Sequence, residues 1–582
     1  MRRQTVLVLL LLAGLAGLVW FSSHLAALRI YQVDECQNLY MAGVLAGHHT
    51  SEFFSNASLF LLGPLSWISR NCPRSADAFQ MARLVFLGVF WLNLFLVALA
   101  AAGKLYSIRA LVALVAVGTL APIWDYGFEV RHDSLVLTGV LLTWLLIRLK
   151  PLSIVSYLCV GAIAVTSLFV AVKSVVYVLP LSLALLAFPP PTLALPRWRL
   201  GLAWIIGAAL ATGLIRLAYG DSGGWQIYLS VFHGVAKYSA GGGGGSSGFA
   251  PWSALGRLLI QTPLLLGMVL AGTYAIGVDL VRRGKSALGW SGFLPEFLLL
   301  LGSLVALGIN PTPYPYNLLH VVPYAFIFVF RYGVPLWHEV WALTPIRPFI
   351  VGVGLFAHLI PFMTATRRHL DHFNWRQEQL MTLAEDLTQP SIDPVYDGIG
   401  MVPTRPAVNF QWYLHGLNIQ SFLDGSGPSV REILAARPAP VLIPSYRTDW
   451  LSDADHNFFA ERYVQLADDF WVLGKTLPPG GGSFEIYYPG RYRISTGKGS
   501  DLAGTYALGI KGLMTPEDPG TLSNTTLDGQ PFCNHPVQLS KGVHRIECPL
   551  DCQPAVVWMG PQLDRVHRIG PGDHRALFIN WY

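Results

Sequence analysis

The sequence predicts a polytopic α-helical membrane protein that carries a C-terminal extracytoplasmic region of mixed α/β and β-sandwich character. Three observations predict it. Charged residues make up 13% of the 582 positions, against ~25% in an ordinary soluble domain. Hydrophobic residues make up 53%, and the mean hydropathy is +0.46. The apolar residues are gathered in long runs up to about residue 366 and thin out after it. Together these exclude a disordered chain and a wholly soluble enzyme. A net charge of +6 is too small for a nucleic-acid surface, so no nucleic-acid partner is expected.

A membrane-crossing helix needs about 20 mostly apolar residues. The first run, residues 5–28, follows Met1, Arg2 and Arg3 and has no small-x-small cleavage site after it. It reads as an uncleaved anchor with its N-terminus in the cytoplasm. Further runs begin near residues 84, 109, 133, 151, 168, 200, 257, 293, 317 and 346, giving about 11 spans. The inner turns then hold Lys104 and Arg109, Arg148 and Lys150, Arg197 and Arg199, Arg282, Arg283 and Lys285, and Arg331 and Arg347. That is the positive-inside pattern, and an odd span count places the C-terminal part outside an inner or plasma membrane. Segments 29–82, 122–133, 220–256 and 309–316 share the outer face. The run Gly241–Gly245 reads as a flexible connector or as a lid over a site.

Three domains are expected: 1–366 in the membrane, a mixed α/β segment 367–482, and a jelly-roll-like β-sandwich 483–582. Val430–Ala436 predicts a short helix with Ser429 as N-cap and Glu432 completing a capping box. Ala439–Pro444 reads as a buried strand. Strands are expected at Phe484–Tyr488, Gly490–Ile494, Tyr506–Ile510, Pro536–Leu539, His544–Cys548 and Ala555–Met559, between turns such as Asp528-Gly529 and Lys541-Gly542. Tyr492, Trp558 and Trp581 are either a glycan-binding surface or core aromatics. Cys159 falls in an apolar run and is expected buried. Cys36 and Cys72 share the first outer loop and form a disulfide candidate; Cys533, Cys548 and Cys552 supply one further pair and a spare thiol.

In a chain so poor in charge, ionisable groups beside the apolar runs are the functional candidates. Asp34 and Glu35 stand together just beyond the first run, at the start of an amphipathic helix through Leu39, Met41, Val44 and Leu45. A partly desolvated carboxylate at the mouth of a membrane cavity suits a general base. The alternative is helix capping by Asp34 with Glu35 in the first turn. A second cluster, Asp125, Tyr126, Glu129, Arg131, His132 and Asp133, opens the fourth run, where an interfacial ion pair is the plainer reading. Lys173 lies alone in Leu168–Leu181 and needs an anionic partner. Several cations at an outer cavity suit a lipid-borne phosphate. Asn310-Pro311-Thr312-Pro313-Tyr314-Pro315-Tyr316-Asn317 breaks the backbone between two runs, either lining a cavity where Tyr314 and Tyr316 pack on substrate or forming an ordinary turn.

Taken together, these features resemble the GT-C superfamily of membrane glycosyltransferases, in particular the protein O-mannosyltransferase and aminoarabinose-transferase type. The resemblance covers residues 5–366. It rests on Asp34-Glu35 in the first outer loop, Arg131-His132-Asp133, Lys173 before Tyr177 and Pro180, and Pro315-Tyr316 before His320 and Pro323. It implies an inverting transfer from a polyprenyl-phosphate-linked sugar to a hydroxyl of a glycan, lipid or protein acceptor. Asp34 would deprotonate or orient that hydroxyl, and Glu35 would support it. Arg131 and Lys173 would hold the donor phosphate, with His132, Asp133, Tyr314, Tyr316 and His320 lining the cavity. Metal dependence varies in the superfamily; Asp34 and Glu35 are the residues that would hold a divalent ion. Two other readings fit the residues: a lipid-linked glycan transporter or flippase, and a non-catalytic assembly protein that binds envelope glycan.

Overall fold

The computed structural model describes residues 2–46, 60–148, 153–187, 195–219, 251–284, 294–309, 315–333, 347–406, 408, 414, 419–427, 429–467, 469–498, 524–532, 536–561 and 577–578. The Gly241–Gly245 run, Tyr314, Cys533, Trp581 and the strand expected over Tyr506–Ile510 lie outside those residues.

The N-terminal part is helical. Among the described residues its first ten α-helices are α1 (Arg2–Leu28), α2 (Val33–Ala46), α3 (Ser66–Asn71), α4 (Ser75–Ala102), α5 (Ile108–Gly118), α6 (Ala121–Tyr126), α7 (His132–Arg148), α8 (Ile154–Val170), α9 (Val175–Ala187) and α10 (Arg197–Tyr219). Helices Pro251–Gln261, Pro263–Arg283, Leu294–Ile309, Val322–Phe328 and Arg347–Leu370 follow. Among the described residues, four helices are long and apolar enough to cross a membrane by length and composition: Gln4–Leu28, Ser75–Ala102, Arg197–Ala218 and Pro263–Arg282. Their outward faces carry exposed leucines such as Leu210 and Leu214, compatible with a membrane protein.

Several other apolar runs form shorter helices, because the backbone breaks inside them. The run from residue 109 stops after 11 residues as α5, about 16 Å of helix against a ~30 Å hydrocarbon layer. Pro122 then starts α6. The next break falls at Ala171, which is extended (φ −158°, ψ 128°) and leads into a 3₁₀ turn, Val172–Ser174, before α9. A third stretch, Pro315–His320, is also 3₁₀. Between the breaks the packing is close. A Cβ at Gly161 of α8 would lie 2.0 Å from the Trp204 carbonyl oxygen of α10, and one at Gly207 would lie 2.0 Å from that of Leu158. Small residues therefore let these two helices touch backbone to backbone.

Among the described residues, the C-terminal part begins with helix Trp375–Leu387 and holds two sheets. Its strands are β1 (Val395–Tyr396), β2 (Val441–Leu442), β3 (Tyr463–Ala467), β4 (Phe470–Thr476), β5 (Gly481–Ile486), β6 (Gly490–Lys498), β7 (Thr526–Leu527), β8 (Gln530–Pro531), β9 (Val537–Leu539), β10 (Gly542–Glu547) and β11 (Cys552–Trp558). One sheet runs β1-β2-β4-β11-β6-β9 with β3 added on β4, and the other runs β5-β10-β7-β8. Helix Val430–Ala436 forms as expected, with the Ser429 side chain accepting the Glu432 amide. The boundary expected at 482/483 is not a break: β4 pairs with β11 through Thr476–Ala555, so one sheet spans both segments. Tyr492 and Trp558 are core, 2% and 3% exposed, with the Tyr492 hydroxyl donating to the Tyr488 carbonyl at 2.6 Å. They offer no glycan-binding surface.

Cys36, Cys72, Cys159, Cys548 and Cys552 are free thiols. The Cys36–Cys72 disulfide is not formed, because Cys36 points into the apolar core while Cys72 sits half-buried at the end of α3. Cys548 and Cys552 flank the β10–β11 turn, where the Cys548 thiol donates to the Cys552 carbonyl at 3.3 Å rather than forming a bond to its sulfur. Cys159 is exposed on α8 instead of buried.

The two parts are knitted at the C-terminal end of α1, along α2 and at the N-terminal end of α4. The Tyr31 amide donates to Gln377 Oε1 at 2.7 Å, and Gln377 Nε2 donates back to the Tyr31 carbonyl at 3.1 Å. Glu385 accepts from the amide and hydroxyl of Ser75 at 2.7 and 2.6 Å, placing an anion at the N-terminus of α4. A Cβ at Gly43 would lie 2.6 Å from the Pro403 carbonyl oxygen, so α2 rests directly on the C-terminal part.

Candidate functional site

The turn between α1 and α2 sets the first carboxylates. Gln32 caps α2, accepting the amides of Glu35 and Cys36 at 3.0 and 3.1 Å. Glu35 reaches back to the Gln32 amide at 2.9 Å. The capping role weighed for Asp34 thus falls to Glu35 and Gln32, and Asp34 is left to point elsewhere. Glu35 is fully buried. It takes Arg83 in a forked pair (Nε 3.0 Å, Nη2 2.7 Å) and accepts the Val130 amide at 3.1 Å. Arg83 also donates to the carbonyls of Arg29 and Ile30 that end α1. Glu35 is therefore a clamp between α1, α2, α4 and the turn before α7, with both its oxygens taken.

Asp34 pairs with Arg131 Nη1 and stays 29% exposed. Arg131 lies in the turn before α7, where its Nε is 3.3 Å from Asp133 Oδ2. Its guanidinium carbon lies over Tyr316, 3.5 Å from the ring centroid. Lys173, on the 3₁₀ break between α8 and α9, pairs with the other oxygen of Asp133 and stands 5.4 Å from the same Tyr316 ring. It is 31% exposed. His320, fully buried at the end of its 3₁₀ turn, places Nε2 3.2 Å from Asp133 and stacks on Tyr177 at 4.7 Å. His132 is half-buried at the rim, 3.8 Å from Asp133.

Six side chains foreseen separately thus converge: Asp34, Arg131, Asp133, Lys173, Tyr316 and His320. Two of the backbone breaks serve this cluster, the one at 171–174 carrying Lys173 and the one at 315–320 carrying Tyr316 and His320, since they free the chain to turn polar groups inward where a continuous helix would bury only apolar ones. Asp133 is buried and satisfied on both oxygens, so it is the fixed counter-charge that organises the cations. Arg131 and Lys173 each hold one carboxylate oxygen of it; Arg131 is buried against Tyr316, and Lys173 stays 31% exposed. Asp34 is the one carboxylate of the cluster with a surface open to a partner. Burial works to raise its carboxyl group, but the charges of Arg131 and then Arg447 outweigh that and hold it below the usual carboxylate range.

Two participants escaped sequence reasoning, Arg83 and Arg447. Arg83 stands at the head of an apolar run and reads as an ordinary flanking charge. Two members of the cluster expected before the fourth run, Glu129, buried against Arg29, and Asp125, 2.8 Å from His369, extend the ionic network behind the turn. Arg447, in the C-terminal part, adds its positive charge to the field at Asp34, and nothing local marks it. Glu35 and Asp34 do not offer a shared metal position, because the oxygens of Glu35 are taken by Arg83 and backbone amides. Among the described residues no group of three or more His, Cys, Asp or Glu is placed to hold a metal ion. A scan of the chain against protein-family models finds no match, and a search of curated proteins finds none either.

Proposed function

We propose that the chain is an inverting GT-C-type glycosyltransferase of about 11 spans. It works on the outer face of an inner or plasma membrane with a polyprenyl-phosphate-linked sugar as donor. The observation that carries this reading is the Asp34–Arg131–Asp133–Lys173 cluster: a partly exposed carboxylate beside two cations that a buried aspartate holds in place.

The chemistry follows from the charges. A donor phosphate entering beside Lys173 and Tyr316 competes with Asp34 for Arg131. Once Arg131 turns to the phosphate, Asp34 loses its strongest counter-charge and becomes a better proton acceptor. It then takes the proton of an acceptor hydroxyl as that oxygen attacks the anomeric carbon from the face opposite the phosphate. The C–O bond to phosphate breaks, and Arg131 and Lys173 stabilise the charge left on polyprenyl phosphate. His320 and Asp133 keep the cations aimed.

The test is transfer by the full chain in lipid nanodiscs, with a panel of radiolabelled polyprenyl-phosphate sugars and envelope extract as acceptor. The reading expects covalent transfer that Asp34→Asn abolishes while the fold survives. Full transfer by Asp34→Asn removes the role given to Asp34. A second reading, a lipid-linked glycan transporter, draws on the discontinuous helices at 171–174 and 315–320, a device transporters share. Translocation across liposomes without covalent transfer would favour it.

A further inference from the structure

We propose that a cleft between the two sheets of the C-terminal part binds a neutral sugar unit, with Arg462 and Glu485 as its chief hydrogen-bonding groups. The cleft has a volume of about 270 Å³, near the lower end of small-ligand sites, which run from ~300 to ~1,000 Å³. Helix Asp453–Arg462 contributes its last two residues, β4 brings Leu473 to Lys475 from one sheet, and β5 brings Ser483 to Ile486 from the other, with Tyr487 just beyond it. Alternation along β5 sorts the side chains: Phe484 and Ile486 are buried, each 3% exposed, while Ser483 and Glu485 stand on the open side. β10 pairs antiparallel with β5 and sets Val543 directly opposite Glu485, so this valine, 72% exposed, shares that side. The Arg462 guanidinium carbon lies over two rings, 3.6 Å from the centroid of Tyr487 and 4.3 Å from that of Phe458. Packing on aromatic rings holds it, which leaves its N–H groups for a ligand.

The charges select the ligand. Glu461, Arg462, Lys475 and Glu485 line one cleft, yet among the described residues none of the four is in an ion pair. Arg545 and Glu547 on β10, by contrast, do pair, at 2.9 Å. Two carboxylates and two cations cancel, so a singly charged ligand meets repulsion along with attraction. A wholly apolar ligand would strip water from these groups and give nothing back. A hydroxyl donates and accepts at once, so a ring bearing several of them can give to Glu485 and take from Arg462 together. Val543 and Leu473 offer the apolar C–H side of the same ring a surface to rest on.

That the sugar belongs to the acceptor glycan rests on the function proposed above; the binding site does not. Saturation-transfer NMR on the full chain in nanodiscs measures binding of the methyl glycosides of mannose, glucose, galactose and arabinose, with glucuronate and glucosamine as charged comparisons. At least one neutral glycoside should bind, and more tightly than either charged sugar. Arg462→Gln and Glu485→Ala should each weaken it by about tenfold or more, the loss of one hydrogen bond to a charged group. Glu547→Ala, on β10 but outside the cleft, should leave it unchanged. Glu485 is an exposed strand position, so its variant decides the matter if Arg462→Gln does not fold. Absence of neutral glycoside binding, tighter binding of a charged sugar, or binding that survives the folded variants overturns the proposal. In transfer assays, a raised acceptor KM at unchanged kcat in Glu485→Ala supports acceptor docking, and an unchanged KM removes that role. Glycoside binding without any sugar transfer by the parent chain overturns the glycosyltransferase reading and leaves the cleft assignment standing.

Discussion

Two neighbouring carboxylates should fail in opposite ways. Glu35→Gln removes the charge that balances Arg83 while both side chains are at most 1% exposed. The guanidinium cannot rotate into water, because Arg83 is also tied to the carbonyls of Arg29 and Ile30. Breaking one partner of a buried pair costs about 3–5 kcal/mol. The new amide also puts a donor where Glu35 accepts, at 2.7 and 3.0 Å from Arg83 nitrogens. Asp34→Asn breaks a pair whose carboxylate is 29% exposed and so screened by solvent, and Arg131 keeps Asp133 as counter-charge, so the cost is about 1 kcal/mol. The gap of about 2–4 kcal/mol corresponds to roughly 30- to 1,000-fold in the unfolding equilibrium. Denaturant titration of both variants in the same detergent, followed by tryptophan emission, measures it. Glu35→Gln should unfold at clearly lower denaturant than Asp34→Asn, and Glu35→Met with Arg83→Met should recover part of the loss. Equal midpoints for the two single variants would refute the division into a clamp and a reacting group.

Other consequences can be measured directly. Arg131→Gln and Lys173→Met should each slow sugar transfer ~10²–10³-fold with folding retained, as expected for lost stabilisation of a developing charge. Alkylation of the folded protein should reach Cys72 well before Cys36, whose thiol is buried and pushed well above its usual range by burial; an early Cys36 adduct would contradict the packing of α2. His544 loses some basicity to burial, but its hydrogen bond to Asp528 at 2.7 Å more than offsets this and raises its pKa above 6.5. Its contribution to stability is thus full below the unfolded value and is lost as pH rises through the higher folded one. Histidine C2–H exchange by mass spectrometry should show that elevation, and Asp528→Asn should abolish it.

The candidate site was legible where charge interrupts apolar sequence. Asp34, Arg131, Asp133 and Lys173 stand out because a bilayer-associated chain tolerates few such groups, and the structure brings them together. What each does was less legible. Glu35 shares its type and neighbourhood with Asp34, yet one residue of helical rotation turns it onto Arg83 instead of toward the surface. Arg447 lies more than 400 positions from Asp34, so only the folded junction connects them. Local signals were reliable for helix Val430–Ala436, whose cap and first turn are contiguous. They were weaker for sheet order, since the pairing of β4 with β11 joins strands about 80 residues apart, and such register depends on the whole hydrophobic pattern. Tyr492 and Trp558 illustrate the same limit: an aromatic in an alternating strand looks alike whether it faces solvent or the opposite sheet.

The central claim is that Arg131 and Lys173 receive a lipid-borne phosphate with Asp34 facing the reacting carbon. An electron cryo-microscopy map of the full chain in nanodiscs with a polyprenyl-phosphate sugar tests it most directly. The account predicts phosphate density bridging Arg131 and Lys173 above Tyr316, the Asp34–Arg131 pair opened, and the sugar between the phosphate and Asp34. Phosphate bound elsewhere, with Arg131 still paired to Asp34, would contradict it.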